Sequence, residues 1–125
     1  MKYLCLVYND EEKLGAMSEG EFEAFSDEHV VLDEQLKKSG HSIVAEALQP
    51  AHTATTVRVR NGRLSTTDGP FAETKEQLGG YYLIEAKDLN EAIQVAARIP
   101  SARVGSIEVR PVWELRQHEP RAGRR

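Results

Sequence analysis

The sequence has little material for covalent or metal cross-linking, because Cys5 is its only cysteine in 125 residues. One cysteine excludes an intramolecular disulfide and a cysteine-based metal cluster. Cys5 lies within an apolar strand pattern, so we expect a buried, inert thiol. The apolar run at the N-terminus is also too short for a signal peptide or a membrane span. We therefore expect a cytoplasmic protein with no membrane partner.

Recognisable cofactor motifs are missing as well. The chain has no P-loop, dinucleotide fingerprint, nucleophile elbow or zinc-binding helix motif. His41, His52 and His118 are scattered without ligand spacing, so the sequence predicts neither a metal site nor a cofactor. The net charge of -4 gives no general attraction to phosphate backbones, and we expect no nucleic-acid partner.

The composition is that of one soluble globular domain, with 40% hydrophobic and 29% charged residues. We assign residues 1–115 to this domain. Residues 116–125 carry several arginines and are predicted to form a flexible basic tail.

Periodicity predicts alternating strands and helices. A strand over Lys2–Tyr8 is followed by a helix from Ser18, where Ser18 and Glu21 match a capping box, and Gly40 is its terminator. Further strands are predicted at 41–48, 53–60, 63–67, 81–86 and 107–113. A second helix is predicted from Asp88 to Pro100, with a stripe of Leu89, Ala92, Ile93, Ala96 and Ala97.

The dipeptide Asn61-Gly62 between two β-rich runs predicts a hairpin with a type I′ turn. That turn places Val59 opposite Leu64 and Val57 opposite Thr66. Asp68 extends the same row, so we expect it on the hairpin face of these apolar residues. If the helices cover that face, Asp68 and the first helix share one pocket.

The element order indicates an α+β fold: a ferredoxin-like subunit with an inserted β-hairpin. Two helices cover only one face of such a sheet. Because an apolar sheet face open to water is an association surface, we expect a homodimer packed sheet to sheet.

The segment 67–80 is longer than a plain connector. It combines an Asp68-Gly69-Pro70 corner with Phe71, which serves as a plug or a pocket wall. Lys75 is a solvated charge, a partner of Asp68 or an anion ligand. The pair Gly79-Gly80 indicates a bulge at the entry to the next strand.

Two side chains are candidates for acid–base chemistry. His29 lies in the apolar row of the first helix, and Asp33 follows one turn later, where a carboxylate raises the pKa of an imidazole. The alternative for His29 is a half-buried histidine whose hydrogen bonds are satisfied. The alternative for Asp68 is a turn residue that binds the amides of Gly69 or Phe71.

Three segments resemble the YCII-related family, in its DGPF-motif branch: residues 1–8, 68–81 and 108–112. The resemblance implies a dimeric α+β barrel and an active-site pair of His and Asp. His29 and Asp68 match that pair best, with Asp33 a weaker substitute. It also implies a functional link to an extracytoplasmic-function sigma factor.

Our functional hypothesis is a small cofactor-independent enzyme that performs acid–base chemistry on a small aromatic or cyclic substrate. In it, His29 moves a proton and Asp68 orients it or binds substrate. The other substrate-binding candidates are Asp33, Gly69, Pro70, Phe71 and Lys75. The alternative is a non-catalytic module that binds a small molecule or a protein, linked to sigma-factor regulation.

Overall fold

The computed structural model describes residues 1–115, so the predicted basic tail lies outside the described residues. The elements in chain order are β1 (Lys2–Asn9), α1 (Glu11–Gly15), α2 (Glu19–Lys38), β2 (Ser42–Ala47), β3 (Thr55–Arg60), β4 (Arg63–Asp68), β5 (Gln77–Glu85), α3 (Leu89–Ala96) and β6 (Ser106–Pro111). Short 3₁₀ turns occupy Ala51–Thr53 and Pro100–Arg103.

The main sheet has four antiparallel strands in the order β2-β5-β1-β6. With the short α1 and the β3–β4 hairpin set aside, the chain runs strand, helix, strand, strand, helix, strand. This order and these pairings are the ferredoxin-like topology, and the hairpin is inserted between the two strands that follow α2. The α+β prediction is confirmed.

Local signals fix the ends of α2. The Ser18 hydroxyl accepts from the amide of Glu21, and the Glu21 carboxylate accepts from the amide of Ser18, which completes the predicted capping box. Gly40 adopts a φ of 82°, and the following amide donates to the carbonyl of Leu36. This left-handed residue ends the helix and turns the chain into β2.

The short helix α1 was not predicted from the sequence. The Asp10 carboxylate caps it by accepting from the amides of Glu12 and Lys13. Five residues give too little periodicity to reveal a helix.

The core lies between the helices and one face of the main sheet, which we call the inner face. Along β1, the side chains of Tyr3, Cys5 and Val7 are buried on this face, and the alternate positions are only half-buried. The helices contribute Leu32, Leu36, Ala92, Val95 and Ala96 to the same cluster. The opposite, outer face carries Leu4, Leu6, Tyr81 and Leu83.

The predicted stripe of α3 is wrong in part. Leu89 and Ile93 are each 50% exposed, whereas Val95 and Ile99 are buried. The helix presents small alanines with Val95 to the sheet, which turns Leu89 and Ile93 towards solvent.

The hairpin has the predicted register, with Val59 opposite Leu64 and Val57 opposite Thr66. Asn61 and Gly62 have φ values of 54° and 75°, as a type I′ turn requires. However, β3 and β4 form a separate two-stranded sheet, and Val57, Val59 and Leu64 are exposed. The helices therefore do not cover this apolar face, and that conditional expectation is wrong.

The connector before β5 is shorter than predicted, because β5 begins at Gln77 rather than at Tyr81. The loop therefore spans residues 69–76. The predicted bulge is present: Val7 pairs with Gly80 and Tyr8 with Leu78, which leaves Gly79 unmatched. Within residues 1–115, no helix combines the length and apolar character needed to cross a bilayer.

Candidate active site

A cavity of about 990 Å³ lies between the N-terminal part of α2 and the inner face of the sheet. We call it the α2 cavity. Its volume suits a small organic molecule. Its apolar lining includes Leu14, Met17, Phe22, Phe25 and Val30.

Small residues on the inner face give the α2 cavity its depth. Ala45 and Ala47 of β2 pair with Tyr82 and Gly80 of β5, and all four line the cavity. Ala45, Ala47 and Gly80 have small side chains or none, so the space between them and α2 stays open. We call these three residues the cavity floor. Gly80 is fixed by close packing, since a Cβ there would lie 2.7 Å from the carbonyl oxygen of Glu46.

His29 projects from α2 into the wall of this cavity and is half-buried. Its Nδ1 lies 2.7 Å from the phenolic oxygen of Tyr82, and its Nε2 lies 3.1 Å from the Oγ of Ser101. The ring of Phe25 meets the imidazole edge to face, with centroids 5.2 Å apart. The imidazole is thus held between two hydroxyls by the helix, the sheet and the turn at Pro100–Arg103.

Burial lowers the pKa of His29, because the imidazolium would lose its hydration. Glu28 opposes this shift of the pKa and Arg103 adds to it, both as smaller effects. The sequence predicted a raised pKa from a neighbouring carboxylate, and that direction is wrong. Burial likewise raises the pKa of Tyr82, with the charges of Asp33 and Cys5 acting in the same direction.

These two shifts of pKa define the protonation states of His29 and Tyr82 at neutral pH. The phenol of Tyr82 keeps its proton, and the imidazole of His29 is neutral, so one ring nitrogen donates and the other accepts. The row Ser101–His29–Tyr82 can therefore pass a proton along its hydrogen bonds. We call these three side chains the hydroxyl–imidazole row.

Asp33 lines the α2 cavity but does not pair with His29. Its Oδ1 accepts from the Ser42 hydroxyl at 2.6 Å, and its Oδ2 lies 3.1 Å from the Nζ of Lys37. The i,i+4 ion pair with Lys37 occupies the position in which the sequence placed His29 as a partner. The predicted Asp33–His29 contact is therefore wrong.

Asp68 is the last residue of β4, pairs with Thr55 and is exposed. It shares the row of Val57 and Val59, as predicted from the hairpin register. It does not line the α2 cavity, and both ring nitrogens of His29 contact other residues. Within residues 1–115, no hydrogen bond or ion pair joins Asp68 to His29.

The 69–76 loop is held by contacts different from those expected. The amide of Gly69 donates to the carbonyl of Ala54 at 2.7 Å, not to the Asp68 carboxylate, and Thr56 donates to the carbonyl of Gly69. Gly69 has a φ of 98°, which explains glycine at this corner.

The remaining loop candidates lie on the surface. Pro70, Phe71 and Lys75 are exposed, and Phe71 is 80% accessible. Phe71 therefore does not plug the loop against the rest of its own chain. None of these three residues lines the α2 cavity.

Sequence reasoning missed Tyr82 and Ser101, the two residues that bind His29. Tyr82 was only one apolar position of a strand, and its inner-face location became informative once β5 was paired with β1. Ser101 is fully buried beside Pro100, but its sequence context carries no signal of that burial.

Fold and cavity together define a small α+β protein with a ligand-sized cavity between its first long helix and its sheet. Residues 1–116 match the YCII-related domain, and the chain belongs to the YCII-related family. It is also similar to an uncharacterised protein of Rhizobium meliloti (strain 1021). The two are 39% identical over 114 residues, which cover 90% of this chain and 92% of that protein.

Proposed function

We propose that this protein binds a small organic molecule in the α2 cavity and transfers a proton to or from it through the hydroxyl–imidazole row. The observation that carries the proposal is the position of His29. A neutral imidazole lies in the wall of a ligand-sized cavity, with a hydroxyl on each ring nitrogen. Such a group accepts a proton near neutral pH, which is the requirement for a general base.

The direction of proton transfer follows from the two partners. Tyr82 has a raised pKa and remains protonated, so it suits the role of a donor to Nδ1. With Nδ1 as the acceptor, Nε2 carries the hydrogen and donates to Ser101. Proton uptake from a ligand then passes through a hydroxyl, or follows a rotation of the imidazole towards the cavity.

Activity profiling tests this proposal. The protein is incubated with a fractionated extract of small metabolites, and NMR follows which compounds change. We expect a compound to change with the wild type but not with His29→Gln, because Gln can keep a hydrogen bond but cannot accept the proton. Equal turnover by both proteins would overturn the role of His29.

A cavity variant separates binding from proton transfer. Ala47→Leu places a larger side chain on the cavity floor, at an exposed position where the fold tolerates it. We expect it to abolish ligand binding, whereas His29→Gln retains binding and loses turnover. Ligand binding unaffected by Ala47→Leu would place the ligand elsewhere.

We also propose that the chain belongs to the DGPF branch, from the segment Asp68-Gly69-Pro70-Phe71, and that Asp68 acts in recognition. The hairpin and the 69–76 loop, including Lys75, would form a recognition surface beside the cavity, contributed within one chain or across a dimer. Asp68→Asn tests this role. We expect a higher KM with little change in kcat. An unchanged KM would show that Asp68 does not take part in substrate recognition.

The exposed apolar side chains favour a second function, protein binding. Val57 is 60% exposed, Val59 58% and Leu64 70%, and the outer face of the sheet carries further apolar side chains. We propose that a second copy of the chain covers this outer face, and that an extracytoplasmic-function sigma factor is the functional partner to test.

Light scattering on purified protein measures the oligomer. We expect a dimer that Leu6→Glu, on the outer face, converts to a monomer, while Glu108→Gln at a neighbouring outer-face position leaves it dimeric. A monomeric wild type would contradict the homodimer. Co-purification with an extracytoplasmic-function sigma factor tests the second partner.

A further inference from the structure

We infer that the α2 cavity selects a neutral or cationic ligand that donates hydrogen bonds, and that it discriminates against carboxylates and phosphates. This inference rests on the proposed function, because it concerns the ligand of the same cavity. It follows from the charges and the unpaired acceptor in the cavity wall.

The charged residues of the wall are mainly acidic. Four carboxylates line the cavity against one ammonium group. The acidic residues are Glu11, Glu19, Asp33 and Glu34, and the basic residue is Lys37. Glu46 also borders the cavity, but it pairs with Tyr81, so its side chain lies on the outer face. Four negative charges less one positive charge give the described wall a formal charge of −3, since His29 is neutral.

The single cation is not available to an anionic ligand. Lys37 already lies 3.1 Å from Asp33, within one turn of α2. Glu19 and Glu34 are exposed, and among residues 1–115 their carboxylates have neither hydrogen-bond nor ion-pair partners. An incoming anion would therefore meet unpaired like charges without a compensating cation, whereas an amine would be attracted.

Asn9 provides an independent sign that the cavity lacks a donor. Its side chain lines the cavity and is 8% exposed, and its Oδ1 has no hydrogen-bond partner within the described part of the chain. A buried acceptor without a donor is unfavourable, so an N–H or O–H group of a ligand stabilises it. The direct neighbour, Gly79, offers no side chain for this purpose.

The apolar part of the wall agrees with this ligand class. Phe22 and Phe25 line the cavity on α2, and aromatic faces attract ammonium groups. A ligand with a ring and an amine or hydroxyl group satisfies the aromatic lining, the acidic rim and Asn9 together.

Three probes of one shape test the inference: benzylamine, benzyl alcohol and benzoate. Each is titrated to millimolar concentrations while NMR follows the ring signals of His29. We expect benzylamine and benzyl alcohol to shift these signals. At low salt, the affinity for benzoate should be lower than the affinity for benzylamine by about tenfold or more. Added salt should reduce the difference between benzylamine and benzoate.

The outcomes separate the inference from the proposed function. Benzoate binding as tightly as benzylamine would overturn the charge selection and leave the cavity as the binding site. If no probe shifts His29, both the proposed binding function and this inference fail.

Matched variants on α2 test whether the acidic wall causes the preference for benzylamine over benzoate. Glu34→Gln should lower the preference for benzylamine over benzoate several-fold, and Glu34→Lys should lower it further. Glu23→Gln makes the same chemical change on the same helix, at an exposed residue outside the cavity, and should leave the preference unchanged. Equal effects of Glu34→Gln and Glu23→Gln would overturn the role of the acidic wall.

Asn9→Leu tests the unpaired acceptor. It should weaken the binding of benzyl alcohol, which is uncharged and therefore does not respond to the charge of Glu34.

Discussion

The Nδ1 of His29 lies 2.7 Å from the phenolic oxygen of Tyr82, a residue 53 positions later in the chain. This contact joins α2 to the central strand β5 at the wall of the cavity. Tyr82 is 5% exposed and packs in the core, so it fixes the imidazole against the most rigid part of the fold. An imidazole held in this way keeps its orientation without a ligand.

The lowered pKa of His29 predicts a loss of stability on mild acidification. Below its ordinary pKa of 6.5, the unfolded chain binds a proton at His29 that the folded chain does not bind. The free energy of unfolding therefore falls as the pH drops below about 6.5 and stops falling below the folded pKa. Urea unfolding at a series of pH values measures this decrease.

His29→Gln isolates the contribution of this one imidazole to the pH dependence of stability. We expect the variant to lose less stability than the wild type over the same acid range. NMR titration of His29 provides the direct check. An unchanged or raised pKa in the wild type would contradict the role of burial.

Removal of the Ser101 hydroxyl should destabilise the protein. Ser101 is fully buried, and in Ser101→Ala the Nε2 of His29 loses its only described partner. We expect a loss of about 1–3 kcal/mol in the free energy of unfolding, together with a change in the pKa of His29. Ser65→Ala, on the exposed hairpin, should change stability by less than about 0.5 kcal/mol. Equal effects of the two variants would exclude a specific Ser101–His29 bond.

Substitution by alanine should have opposite effects on stability at two glycines, Gly105 and Gly20. A Cβ at Gly105 would lie 2.1 Å from the carbonyl oxygen of Tyr8, so Gly105→Ala must displace β1 or β6. We expect a loss of about 1–3 kcal/mol, as in other overpacked sites. At Gly20, within α2, a Cβ meets nothing within 4 Å, and Gly20→Ala should stabilise the helix by about 0.5–1 kcal/mol. Thermal unfolding of both variants measures the difference.

Cys5 should react slowly with thiol reagents in the native protein. Its side chain is fully buried, and burial raises its pKa to about 11, so little thiolate is present at neutral pH. We expect labelling by iodoacetamide to become fast only after unfolding in urea. Rapid labelling of the native protein would show that β1 opens to solvent.

Short-range signals predicted the parts of the fold that depend on neighbouring residues. The capping box at Ser18, the left-handed Gly40 and the Asn61-Gly62 turn each act within a few residues, and the structure has all three. The apolar and aromatic run at Lys2–Tyr8 likewise predicted β1. Helix α1 was missed because its five residues give too little periodicity, and the start of β5 was missed because Gly79 and Gly80 are unusual in strands.

The sequence alone determined the α+β element order and the candidacy of His29, since periodicity and capping are local properties. Tertiary structure decided the site. Folding brings Tyr82 and Ser101, which are 53 and 72 positions away, to the two ring nitrogens of His29. It also pairs Asp33 with Lys37 and leaves Asp68 on an exposed hairpin. It also decided the sign of the shift in the pKa of His29. Burial depends on which elements pack together, and its effect on the pKa of His29 outweighed the opposing charge of the neighbouring Glu28.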